Sequence, residues 1–261
     1  MSSPLHTTVI PAMKALGLAT WTTGLLGIAN VHTRLQSESQ RDAVFDVYVR
    51  RWARGVLLAM QANVCQRGTV LPQKAKARLV VANHRSAADI PVLLHLFGGS
   101  VLSRADLANW PIIGRSARAA QTIFVDREDP ASRLRAIREI RACLERGRTV
   151  SLFPEGATHA GDDVRPFAAG SLVALRGLDV EVVPVGLAYP AGTEFTQDSF
   201  VDHARDLGRR TSLPIGVAIG DSIAAEGVGG EGRFRSSEVA TFLQSQVQTL
   251  VLRAREAIAD T

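Results

Sequence analysis

Cysteine and lysine are nearly missing from this chain of 261 residues. The two cysteines, Cys65 and Cys143, are too few for a disulfide framework. Each falls among apolar neighbours in a stretch that predicts helix, and so reads as a small buried hydrophobe of a reducing compartment. Only Lys14, Lys74 and Lys76 are lysines among 30 basic residues, so the net charge of +5 rests on arginine. The six histidines are scattered, with no HExxH, no CxxC and no pair at helical spacing, so no metal site is expected. There is no G-x-S-x-G elbow and no Walker A sequence, which removes the main support for a serine hydrolase or a P-loop enzyme. Residues 227–232, GVGGEG, match a dinucleotide fingerprint by letter but lack the strand-to-helix setting, and read as a surface loop. The arginine-rich segment 129–147 has no aromatic platform beside it and no nucleic-acid-binding motif, so no nucleic-acid partner is expected. What the charge does suit is a membrane surface or a phosphorylated substrate.

Residues 15–33 contain no Lys, Arg, Asp or Glu. The run approaches the ~20 apolar residues of a spanning helix, but four threonines, three glycines, Asn30 and His32 dilute it. No basic leader directly precedes it and no A-x-A-like site follows, so a cleaved signal peptide is not expected. Residues 42–60 predict an amphipathic helix with Arg50, Arg51 and Arg54 as a cationic face and Trp52 beside them, the composition of a helix lying in a bilayer interface. Residues 1–65 are therefore expected to form a helical membrane-associating pair. Two ordinary helices packed on the domain are the alternative, and whether 15–33 spans or lies on the membrane stays open.

Residues 66–261 read as one α/β domain. Segments 78–83, 149–154, 180–189 and 214–220 are short β-branched runs bounded by Gly, Pro or charge, as buried strands are. Between the first two lies a helix over 129–147, with Asp129 as N-cap, Pro130 at its first position and Gly147 at its end. A last helix, about Ser237 to Ala259, carries Val239, Phe242, Leu243, Val247, Leu250, Val251, Ala254 and Ile258 at helical spacing. The alternation predicts a mixed, largely parallel sheet covered by helices on both faces. Pro184, inside a β-branched run, predicts an edge strand or a bend.

The first strand ends on Asn83-His84, and Asp89 follows one helical turn on. A histidine at the C-terminal end of a strand projects into the crevice where α/β proteins bind ligands. An Asp on one ring nitrogen fixes the tautomer and leaves the other nitrogen as a base. The alternative is a helix capped by Asn83 or Ser86 beside a satisfied interior histidine. In LFPEGATH (152–159), a strand runs into Pro154-Glu155-Gly156, which puts a carboxylate and a flexible backbone at the same edge. A further short apolar run delivers Asp126-Arg127 to a loop, where Arg127 is an anion hook or a surface ion-pair partner.

Taken in order, NHRSAAD, GRSARAAQTIFVDR, FPEG and VVPVGLAY resemble the four-block pattern of the glycerolipid acyltransferase family, which includes the 1-acylglycerol-3-phosphate acyltransferases. The resemblance covers roughly residues 78–190. It implies an enzyme in which His84 deprotonates an acceptor hydroxyl, Asp89 orients His84, and the oxygen attacks the thioester of acyl-CoA or acyl-carrier protein. No covalent acyl-enzyme and no cofactor are implied. Backbone N–H groups near Gly156, or at the helix start after His84, are the candidate oxyanion donors. The resemblance associates Arg127, Glu155 and Gly156 with the acceptor and Pro184 with the acyl donor. Asn83, Arg104, Pro154 and Arg165 complete the expected substrate-binding set.

The chain also departs from the family's pattern. Ala157 and Thr158 stand where the family commonly has Thr-Arg, Ala168 where it has lysine, and Arg104 where it often has lysine. The expected function is O-acyl transfer to a lysolipid such as 1-acylglycerol-3-phosphate, on the cytoplasmic face of a membrane. A non-phosphate acceptor such as a lyso-ornithine lipid is the alternative, and a catalytically idle lipid-binding protein is the rival of another class.

Overall fold

The computed structural model of the chain describes residues 10–70, 76–109, 114, 117, 118, 120–196, 199–228 and 234–260. Most of the glycine run at 227–232 and part of the 114–127 block lie outside them. Two helices open the chain, α1 (Ile10–Arg34) and α2 (Glu38–Ala59). There follow β1 (Ala62–Arg67), β2 (Arg78–Ala82), α3 (Asp89–Phe97), β3 (Ser100–Arg104), β4 (Ile123–Val125), α4 (Pro130–Glu145) and β5 (Thr149–Leu152). The chain closes with β6 (Glu181–Ala188), α5 (Phe200–Arg209), β7 (Leu213–Ile219), β8 (Ile223–Ala224) and α6 (Ser236–Ala259).

The strands make one sheet in the order β1-β7-β6-β2-β5-β3-β4, with β8 paired to β6. Strands β2 to β6 are mutually parallel, while β7 runs against β6 with β1 parallel to it. This is the mixed, largely parallel sheet expected. Because side chains alternate along a strand, Leu79 and Val81 join the core under α4 and α6, whereas Val80 and Ala82 join the core under α2, α3 and α5. Both faces are thus covered, which is why the central strands are apolar at nearly every position.

Two expectations are corrected here. Cys65 lies half-buried in β1, not in a helix, while Cys143 is buried in α4. The strand around Cys65, ANVCQR, is too polar to show a strand pattern, and its register is set by β7. It also straddles the boundary drawn at residue 66. Pro184 is not on an edge strand: β6 is central, pairing β2 on one side. On its other side β6 pairs β8 at residues 181–182 and β7 at 185–188, so the proline falls where the partner changes and no ladder donor is needed.

The helical pair packs on the domain through α2. Arg50 turns inward and caps the end of α3, donating to the carbonyls of His95, Leu96 and Phe97, so it is not part of a free cationic face. Arg51 and Arg54 are exposed as expected. Trp52 faces α1, its indole donating to Thr22 Oγ1 at 3.1 Å. The outward apolar stripe belongs to α1 instead: Met13, Leu16, Trp21, Ile28 and Val31 are all exposed. Among the described residues, no helix is long and apolar enough to cross a membrane.

Candidate active site

Parallel strands align their C-terminal ends, so the loops after β2, β3, β4, β5 and β6 meet along one edge of the sheet. His84 follows β2, Arg104 ends β3, Arg127 follows β4, and Pro154, Glu155 and Gly156 follow β5.

His84 Nδ1 lies 2.7 Å from Asp89 Oδ2. The same carboxylate oxygen accepts from the backbone N–H groups of Arg85 at 2.6 Å and Ser86 at 2.8 Å. Asp89 thus holds the loop and the histidine at once, and the N-cap of α3 is Ala88, not Asn83 or Ser86. With Asp89 a carboxylate, Nδ1 carries the proton and Nε2 keeps its lone pair. The His84 ring stacks on Phe153 with centroids 4.3 Å apart. Its side chain is 20% exposed against 0% for Asp89, so the ring meets solvent and the carboxylate does not.

Asn83 is fully buried, and its amide exchanges two hydrogen bonds with the backbone of Leu187, at 2.8 and 2.7 Å. It ties the end of β2 to β6 and presents nothing to a substrate. The Glu155 side chain is also wholly buried and accepts from Arg85 Nη1 at 3.1 and 2.9 Å. Burial raises its carboxyl above the usual range, against the pull of Arg85. Glu155 thereby couples the loop after β5 to the loop after β2. Arg85 completes the joint by donating to the carbonyls of His84, Gly161 and Asp163. Pro154 is buried, and its carbonyl accepts from Ala168 N at 2.9 Å.

Gly156 has φ +82°, and a Cβ there would stand 3.0 Å from Arg127 Nη1, so the guanidinium lies against its backbone. Arg127 is exposed but partly dehydrated, and this, with the neighbouring charge of Arg104, lowers its pKa. Arg104 is also exposed and forms a two-point pair with Asp106 at 3.0 and 3.2 Å. Arg165 is exposed, and burial, with the charge of Arg165 after it, lowers the pKa of His159. Pro184 stays inside the sheet, midway along β6, and is not brought to the edge.

Several of the candidate oxyanion donors already have acceptors. The N–H groups of Arg85 and Ser86 go to Asp89, that of Ala87 to His203, that of Ala88 to Ser86 Oγ, and that of Gly156 to the Phe153 carbonyl.

Three residues the sequence reading passed over stand close to the His84–Asp89 pair. His159 donates its N–H to the His84 carbonyl at 3.2 Å and sits 4.0 Å from Glu155. His203 is buried under the loop, where Nε2 accepts from Ser86 Oγ at 3.2 Å and from Ala87 N at 3.4 Å. Burial lowers its pKa, which suits that neutral acceptor role. Tyr189, fully buried, follows β6. His159 and Tyr189 lay within blocks already singled out; His203, from α5, had no local signal at all. Among the described residues, no group of three or more His, Cys, Asp and Glu side chains could hold a metal ion.

Comparison with known proteins gives a consistent set of relatives. Residues 63–188 match the family described as Acyltransferase. The chain is 29% identical over 167 residues to a 1-acyl-sn-glycerol-3-phosphate acyltransferase of Neisseria meningitidis serogroup B, covering 63% of each chain. It is 38% identical over 111 residues to a lyso-ornithine lipid O-acyltransferase of Pseudomonas aeruginosa, covering 42% of this chain and 43% of that one. The chain thus spans less than two thirds of the length of these relatives. The crystal structure of the 1-acyl-sn-glycerophosphate (LPA) acyltransferase of Thermotoga maritima shares its fold, with a TM-score of 0.66, 19% identity and coverage of 94% and 98% of the two chains.

Proposed function

We propose, from the match of residues 63–188 to the Acyltransferase family, that the chain moves a fatty acyl group from an acyl thioester, acyl-CoA or acyl-carrier protein, to the hydroxyl of a lysolipid. The observation that carries this reading is the 2.7 Å contact of His84 Nδ1 with a fully buried Asp89, beside a partly open ring. Nε2 takes the proton of the acceptor hydroxyl, and the oxygen attacks the thioester carbonyl carbon. The tetrahedral adduct then expels the thiolate, which takes the proton back from the imidazolium. Asp89 stabilises that imidazolium while it lasts. A positioned base of this kind supplies about 10²–10⁴-fold, and close approach of the two substrates supplies much of the remainder. No resident cofactor takes part.

Arg127 against Gly156, with Arg104 beside it, forms the cationic side of the site and suits an acceptor phosphate such as that of 1-acylglycerol-3-phosphate. A second reading has its own support. Arg104 is neutralised by Asp106, Thr158 Oγ1 donates to the Phe195 carbonyl, and positions 157 and 168 are alanines. An acceptor without phosphate, such as a lyso-ornithine lipid, fits that reduced charge. The exposed apolar stripe of α1 and the net charge of +5 support action at an anionic membrane surface, on its cytoplasmic face.

The test is acyl transfer by the purified full chain from a long-chain acyl-CoA and from an acyl-carrier protein to both acceptors. Product formed with either donor, and lost in His84→Ala, supports the reading. No product with any pair, while a known acyltransferase works in parallel, overturns it in favour of an idle lipid-binding protein.

A further inference from the structure

Asp89 uses one oxygen for three partners and the other for none. Oδ2 accepts from His84 Nδ1, Arg85 N and Ser86 N, while Oδ1 is buried and has no hydrogen-bond partner among the described residues. Tyr189 is a mirror case: it is 1% exposed, and its buried hydroxyl makes no full hydrogen bond there, though it lies within reach of the Asp89 side chain. A carboxylate oxygen and a hydroxyl left unmade in the interior are each in their least favourable state.

The two are neighbours. Asn83 pins the end of β2 to Leu187, and Tyr189 lies two residues further along the chain, just past the end of β6. Its ring belongs to the same buried cluster as Ala88, the residue before Asp89. Its backbone is fixed as well, because Arg255 of α6 donates to the Tyr189 carbonyl at 2.6 Å while gripping Asp162 at 2.9 and 2.5 Å. Burial, and after it the charge of Asp89, hold the hydroxyl protonated, with its pKa well above the ordinary value of 10.0. A hydroxyl that keeps its proton beside a carboxylate is a donor.

We propose that Tyr189 is a positioning residue for the base: its hydroxyl donates to Asp89 Oδ1, fixes the carboxylate plane, and so sets the direction and strength of the bond from Oδ2 to His84. This rests on the proposed acyl transfer only for its kinetic consequence. The other titratable groups around the dyad are His203 of α5, which accepts from Ser86, and Glu155, Arg85 and His159, which face His84 from the loops after β2 and β5.

In Tyr189→Phe, Oδ1 loses its donor and the carboxylate charge concentrates on Oδ2, which stabilises the His84 imidazolium. The expected result is a kcat lower by about tenfold, KM for both substrates within about twofold, and an acid limb of the kcat–pH profile moved to higher pH. A Tyr189→Phe enzyme with the native kcat and the native profile overturns the proposal.

A second measurement needs neither turnover nor that variant. The chain has two tyrosines, Tyr48 and Tyr189, so 13Cζ-tyrosine labelling gives two NMR signals. Asp89→Asn is expected to move the Tyr189 signal and leave that of Tyr48. If neither signal moves, the hydrogen bond is absent whatever the assay shows. If the native chain transfers no acyl group yet the Tyr189 signal moves, the bond stands and the proposed reaction is what fails.

Discussion

Replacing Arg85 by alanine leaves the Glu155 carboxylate buried without its cation and removes a donor from the carbonyls of His84, Gly161 and Asp163. Breaking a buried pair from one side costs about 3–5 kcal/mol, and each kcal/mol lowers Tm by roughly 2–4 °C in a chain of this size. Arg85→Ala is therefore expected to melt on the order of 10 °C lower by calorimetry. The double variant Arg85→Met, Glu155→Leu should lose less than Arg85→Ala, because it leaves no lone charge; a larger loss would contradict the account of the pair. Protonation tests a neighbouring residue. Burial holds His203 below its ordinary value of 6.5, so it contributes stability that is complete above that value and is lost as pH falls through the lower folded pKa. His95 is shifted in the same sense by the same cause. Glu155 and Asp46 are shifted upward by burial, so their contributions are present below the ordinary carboxylate value and are lost as pH rises through the folded one. Urea denaturation is expected to show stability falling with acid below about pH 6, with a shallower slope in His203→Gln. An unchanged slope in that variant would count against a buried neutral His203.

Helix α6 lies flush on the sheet because two strand residues opposite it have no side chain. A Cβ at Gly216 of β7 would stand 2.0 Å from the Ala254 carbonyl oxygen, and one at Gly186 of β6 would stand 2.2 Å from the Leu250 carbonyl carbon. Overpacking costs about 1–3 kcal/mol where side chains can give way. Here backbone is the obstacle, so Gly216→Ala is expected to reach or exceed that range in equilibrium unfolding, and a loss under about 0.5 kcal/mol would contradict the contact. The buried stripe of α6 was legible in the sequence, from Val239 through Leu243 and Val247 to Ala254, because a long amphipathic helix repeats its signal. So was α4, whose Asp129 side chain accepts from Ala131 N and Ser132 N as an N-cap should. The strands β1, β3 and β4 gave no such pattern: β1 is half polar, β4 has three residues, and each is a strand because a neighbour pairs with it. The site divided in the same way. His84 and Asp89 are five residues apart and could be read locally, whereas the partners of Arg85 and Ser86 come from Glu155 and His203, in another loop and in α5.

Across the molecule, the apolar stripe of α1 and the edge that carries His84 belong to one body, joined where Arg50 caps α3 and where Lys14 Nζ donates to the Gly208 carbonyl at 2.9 Å. If the stripe holds the enzyme on a bilayer, Leu16→Glu with Ile28→Glu removes two side chains whose burial is worth about 1.5–3 kcal/mol each. Binding to anionic vesicles is then expected to weaken at least about tenfold, with the fold intact by circular dichroism. Equal binding would place the membrane contact elsewhere. The central claim, that His84 oriented by Asp89 is the base of an acyl transfer, is tested most directly by turnover of the native chain, His84→Ala, Asp89→Asn and the double variant on whichever lysolipid it accepts. The account predicts a loss of about 10²–10⁴-fold in His84→Ala, with the double variant no worse than the worse single one, because the two residues act as a unit. A His84→Ala enzyme that turns over within a few fold of the native chain would contradict it.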